Sequence, residues 1–129
     1  VTMMGTVGRI AIVPKNIGSA IITSHLLKIT LNHEKCLSEF LFYILQSNHI
    51  KNQILKESHG IVMSGLNTTK IKKLLIFKPP LSEQQQIASI LSNVDTQLQK
   101  EKLHKSNLER LKKGLMQKLL TGQIRVKVP

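Results

Sequence analysis

Apolar and polar positions along the chain change character at Pro79-Pro80. Before that point the apolar residues come in short β-branched runs, which predict strands. "VGRIAIVP" (7–14) is one, closed by Pro14. "AIITSHLLKITL" (20–31) gives one or two more, with Ser24 and His25 as a break or bulge, and "LLIFK" (74–78) is the last. Between them the spacing of Leu41, Ile44, Leu45, Ile50 and Ile54 predicts a helix. Ser38 is its expected N-cap, Glu39 suits the positive end of the dipole, and Leu37 with Phe42 is spaced as a hydrophobic staple. Gly60 closes that pattern. "HGIVMSGLNTTKIKK" (59–73) is a glycine-bearing loop running into a short helical turn from Asn67 or Thr68. Strands mixed with helix make this portion α+β.

After Pro80 one long helix is expected. Ser82 and Gln85 have the spacing of a capping box, and Gly122 is a natural residue just past a helix end. Ile87, Leu91, Val94 and Leu98 recur in steps of four and three, the spacing of a coiled coil. The same register puts Glu101 and Lys105 in the seam before apolar residues return at Leu108, Leu111, Leu115 and Leu119. Ser82 to Thr121 is 40 residues, about 60 Å at 1.5 Å per residue. A stripe of that length outruns what an 80-residue domain can cover, so the helix is expected to project and to meet another helix. A hairpin bent at 99–107 is the alternative, and that stretch holds no Gly or Pro to turn it. The expected organisation is therefore a small mixed α/β domain over 1–80, a coiled-coil helix over 81–122, and a tail or short strand over 123–129.

Charge adds a partner class. The chain has 19 Lys and Arg against 7 Asp and Glu, a net charge of +12. Residues 1–80 hold 10 basic and 3 acidic side chains and residues 81–129 hold 9 and 4, so the excess is not confined to one tail. A domain this basic points to a polyanion, nucleic acid first. The groups placed to meet it lie in turns and loops: Lys15, Asn16 and Ser19, then His59, Ser64 and Asn67, with Lys70, Lys72 and Lys73 behind them. Lysines neutralise phosphates; Ser, Asn and His can meet base edges.

Catalytic chemistry is not expected. The sequence has no G-x-x-x-x-G-K-[ST] and no H-E-x-x-H, and its five histidines lack metal-ligand spacing. No metal or cofactor is expected. The single Cys36 fits a reducing, cytoplasmic setting, and no apolar run approaches the roughly 20 residues that span a bilayer.

"PPLSEQQQIASIL", leading into a helix that ends "LKKGLMQKLLTGQIRV", resembles the conserved helical region of specificity subunits of type I restriction–modification enzymes. "GTVGRIAIVP", "SHLLKITL" and "SGLNTTKIKKLLIFKPPL" resemble the later part of a target recognition domain of that family. Such domains carry a further stretch before the segment that matches Gly5–Arg9, so the resemblance implies half a subunit with its front missing. It also implies a non-catalytic protein that reads one half of a split DNA target. Long antiparallel helices would set the spacing between halves, and methyltransferase and restriction subunits would dock on them. A homodimer through antiparallel long helices follows from the same resemblance. The alternative is a coiled-coil association module whose basic charge is incidental.

Overall fold

The computed structural model describes residues 1–3, 8–14, 16–58 and 67–127. The chain divides into two compact units, Val1–Ser89 and Ile90–Pro129. Four helices follow one another: α1 (Ser38–Gln46), α2 (Asn48–Ser58), α3 (Thr68–Lys72) and α4 (Leu81–Leu120).

Among the described residues the expected strands do not form. Their β pairing is a single antiparallel bridge between Thr2 and Leu26. Around it Met3 N–H donates to the His25 carbonyl at 2.8 Å and Leu27 N–H to the Val1 carbonyl at 2.8 Å. The runs at 20–31 and 74–78, and the described parts of 7–14 and 123–129, carry no ladder. The α+β expectation is thus not met, and what the first unit shows is chiefly helical. β-branched side chains favour an extended backbone, but a strand needs a neighbour to take its N–H and C=O groups. Segment 74–78 finds such a neighbour in a side chain. The Gln53 amide accepts Leu75 N–H at 2.9 Å and donates to the Leu75 carbonyl at 3.0 Å, doing for one residue what an adjacent strand would do.

The helix expected from Ser38 onward is two helices. α1 begins at Ser38 with Leu37 as its N-cap residue, whose side chain makes no capping bond, so the expected Ser38 cap moves inside the helix. At Ser47 the backbone turns extended (φ −63°, ψ 151°). Ser47 Oγ then accepts Ile50 N–H at 3.4 Å and restarts the chain as α2. α1 packs on α2, and α2 on α3. Phe40, Leu45 and Ile50 are buried along this pair, with Ala88 from the first turns of α4.

α4 is one continuous helix of 40 residues, with no turn at 99–107. It starts at Leu81, one residue before Ser82, so Ser82 lies inside the first turn rather than at a capping-box position. Gly122 closes it at φ +74°, a conformation that suits glycine, with its N–H on the Leu119 carbonyl at 3.2 Å. Thr121 Oγ1 donates back to the Gln117 carbonyl. In the second unit every described residue is exposed.

Candidate functional site

Two surfaces carry the chemistry that the sequence singled out. The first is basic. α3 is short, and its start is fixed by Asn67, whose Oδ1 accepts Lys70 N–H at 2.9 Å. The turn places Lys70, Lys72 and Lys73 within four consecutive positions, with Lys72 and Lys73 exposed and Lys70 half-buried. Asn67 thus has a structural occupation, capping, alongside any contact its exposed amide makes. In the turn after Pro14, Asn16 and Ser19 are exposed and Gly18 adopts φ +68°. Lys15, His59 and Ser64 lie outside the described residues.

The second surface is the stripe along α4. Leu91, Val94, Leu98, Leu108, Leu111, Leu115 and Leu119 are all exposed, and Ile87 is half-buried. Toward the helix end Leu108, Leu111, Leu115, Met116, Leu119 and Leu120 line a shallow apolar groove. The register running through Leu91 and Leu98 continues to Lys105, Lys112 and Leu119; that through Ile87 and Val94 continues to Glu101, Leu108 and Leu115. Leu111 flanks this seam. Lys105 pairs within its own helix, 3.9 Å from Glu109, in an exposed ion pair of the kind worth little to stability. Charge is uneven along the helix. Residues 81–99 hold Glu83 and Asp95 and no Lys or Arg, whereas residues 100–120 hold seven basic and two acidic side chains.

A third feature was not anticipated. Gln84 is fully buried and makes three hydrogen bonds. The sequence did carry a signal for it: Gln84 lies seven residues before Leu91 and four before Ala88, on the apolar face. A polar side chain there has to find buried partners. Cys36, nearby in sequence, is half-buried, and burial pushes its thiol pKa above the ordinary value, partly offset by the Lys78 charge. Among the described residues no three His, Cys, Asp or Glu side chains gather as a metal site would require, and no helix is long and apolar enough to cross a membrane.

The family model for the type I restriction modification DNA specificity domain matches residues 1–110, the first unit and α4 as far as Arg110. The chain belongs to this family. The type I restriction enzyme MjaVIII specificity subunit of Methanocaldococcus jannaschii is 32% identical over 108 residues, covering 84% of this chain and 25% of that protein. A second protein of that organism, provisionally named the type I restriction enzyme MjaX specificity subunit, is 36% identical over 99 residues, covering 77% of this chain and 23% of that one. The chain therefore spans about a quarter of the length of these specificity subunits. No solved structure matches. Family membership fits both surfaces: a DNA specificity domain needs a basic face, and the match runs unbroken into the long helix.

Proposed function

We propose that this chain is a non-catalytic DNA-specificity component of a type I restriction–modification system. Residues 1–80 belong to a target recognition domain, residues 81–122 form the spacer and association helix, and residues 123–129 form a tail. The recognition domain reads one half of a split duplex target. The helix scaffolds methyltransferase and restriction subunits and sets the distance between half-sites. The observation that carries this reading is the single family match that joins the basic first unit to the exposed stripe of α4.

The stripe is covered by α4 of a second copy, running antiparallel. Side chains from two antiparallel helices meet in layers that pair the two seam registers. Pairing Leu98 with Leu108 also brings Ile87 to Leu119, Leu91 to Leu115, and Glu101 to Lys105, with Val94 against Lys112 the one mixed layer. Shifting by one heptad in either direction replaces apolar layers by apolar–charged ones. The uneven charge supports the same direction. Antiparallel pairing sets the acidic half of one helix beside the basic half of the other, whereas parallel pairing sets basic beside basic.

DNA binding measured with a methyltransferase subunit of the system tests this reading. Affinity is expected to fall steeply with salt, about −0.9 in log–log slope for each phosphate contact. Replacing Lys15, Lys70, Lys72 and Lys73 by Ala should flatten the slope by up to about 3.6 and leave sequence preference in place. Changes at His59, Ser64 or Asn67 should instead alter the modified sequence. DNA affinity that is absent, or insensitive to salt, would leave an association module with incidental charge.

A further inference from the structure

We infer that Gln84 is a positioning residue: its buried amide is the joint that fixes the start of α4 to the loop before α1. The inference rests on the reading of α4 as the spacer between half-sites. Three points of the first unit meet at this side chain. Oε1 accepts Leu37 N–H at 3.0 Å. Nε2 donates to the Pro79 carbonyl at 2.8 Å and to the Lys35 carbonyl at 3.2 Å. The side chain is 0% exposed, and both ends of the amide are used.

The Leu37 bond explains why the joint matters to both helices. Leu37 is the N-cap residue of α1 and has no side chain able to cap. In a capping box, a Gln or Glu on the third helical residue reaches back to the N-cap N–H. Here that N–H is taken by a glutamine 47 positions further along the chain. The beginning of α1 and the beginning of α4 are thereby specified together. Gln84 N–H meanwhile bonds the Pro80 carbonyl at 3.0 Å, so the residue that ties the helix outward also belongs to its first regular turn.

A joint at the end of a long rod acts by angle. α4 has 40 residues, about 60 Å, so a tilt of about 5° at its start moves its far end by about 5 Å. That exceeds the roughly 3.4 Å step of one base pair. A loosened joint would therefore blur half-site spacing before it blurred half-site sequence.

The chemistry of the site also distinguishes the amide from its isostere. Gln84→Glu keeps the shape but offers no donor while ionised, and it sets a carboxylate against two carbonyl oxygens. Burial without donors raises a carboxyl pKa. The protonated acid regains one donor for the Pro79 carbonyl, so its defect should shrink as pH falls from about 8 to about 5.

The experiment is methylation of a randomised target library by the full complex, read for half-site sequence and for spacer length. Wild type is expected to modify one sequence pair at one spacing. Gln84→Ala should keep the sequences and spread the spacing by at least one base pair, with faster amide exchange at Leu37. Gln84→Glu should behave like Ala at high pH and return toward the wild-type spacing at low pH. A Gln84→Ala protein that keeps the single spacing, or a Gln84→Glu protein with no pH-dependent recovery, overturns the inference. If Gln84→Ala does not fold, the pH response of Gln84→Glu decides alone. If wild type itself shows no split target, the spacer reading fails instead. Leu37 exchange and its recovery with pH in Gln84→Glu then still decide whether Gln84 is the joint.

Discussion

The two units solve the same problem in opposite ways. The first hides a small core, Phe40, Leu45, Ile50 and Ala88, and ties its segments with side-chain amides: Gln84 to the loop before α1, Gln53 to segment 74–78. The second hides nothing. From Ile90 onward every described residue is exposed, including the seam leucines. Helices in proteins draw most of their stability from packing one face, and 31 residues of amphipathic helix with that face in water are poorly supported. The difference teaches where each unit's stability resides: the first has a buried core of its own, and the second leaves an apolar stripe that only a further surface, the proposed second copy, would bury.

The sharpest way to break this comparison is to charge the seam. In the proposed dimer, replacing Leu98 and Leu108 by Lys should remove about 1.5 to 3 kcal/mol of burial per side chain and set charge in the seam. Sedimentation equilibrium at tens of micromolar should show the wild type as a dimer and the variant as a monomer, with the first unit's thermal transition unchanged. The converse change is Ile50→Ala. Ile50 is wholly buried, so about 2 to 5 kcal/mol should be lost from the first unit. Association through α4 should survive, and loss of the dimer would show the units to be one cooperative body.

How far the sequence reaches follows the same division. α4 was legible because its signals are local: a four–three apolar spacing, prolines before it and Gly122 after it. Its ends fall within one residue of expectation. The first unit was less legible because its signals are not local. The runs at 20–31 and 74–78 have strand composition, but a ladder depends on what lies alongside, and for Leu75 that turned out to be Gln53. The break between α1 and α2 depends on one serine in a stretch that reads as helix. The burial of Gln84 follows from its place on the apolar face, but its partners do not, because Leu37 and Lys35 lie 47 and 49 positions away along the chain. For the residues proposed to meet DNA, Asn67 shows the general difficulty, since a side chain suited to a base edge is equally suited to a cap.

Smaller changes sharpen the account. Glu101 and Lys105 interrupt the apolar stripe, and polar seam residues fix register at a cost in stability. Replacing both with Leu should raise the melting temperature of the dimer and permit additional oligomers, seen as heterogeneity in sedimentation; lower stability with a uniform dimer would contradict the register. Gly114 lies inside α4, outside the seam, with open space where a Cβ would sit. Gly114→Ala should therefore stabilise the helix by up to about 1 kcal/mol in thermal unfolding. The least effect concerns Cys36. With its thiol pKa raised by burial, it holds less thiolate at pH 8 than a free cysteine, so alkylation should be slower than for a model thiol and should rise with pH beyond the ordinary thiol range.

Direction of pairing is the central claim, and a single spin label at Gln86 addresses it, in a Cys36→Ser background. Gln86 is exposed near the start of α4. With Leu98 set against Leu108, Gln86 lies opposite Leu120 of the second copy. The two labels in an antiparallel dimer are then separated by 34 residues of helix, about 50 Å. Pulsed electron–electron resonance should show one narrow population near that distance. A population near or below about 20 Å, the separation expected across two helices packed side by side in parallel, would contradict the account.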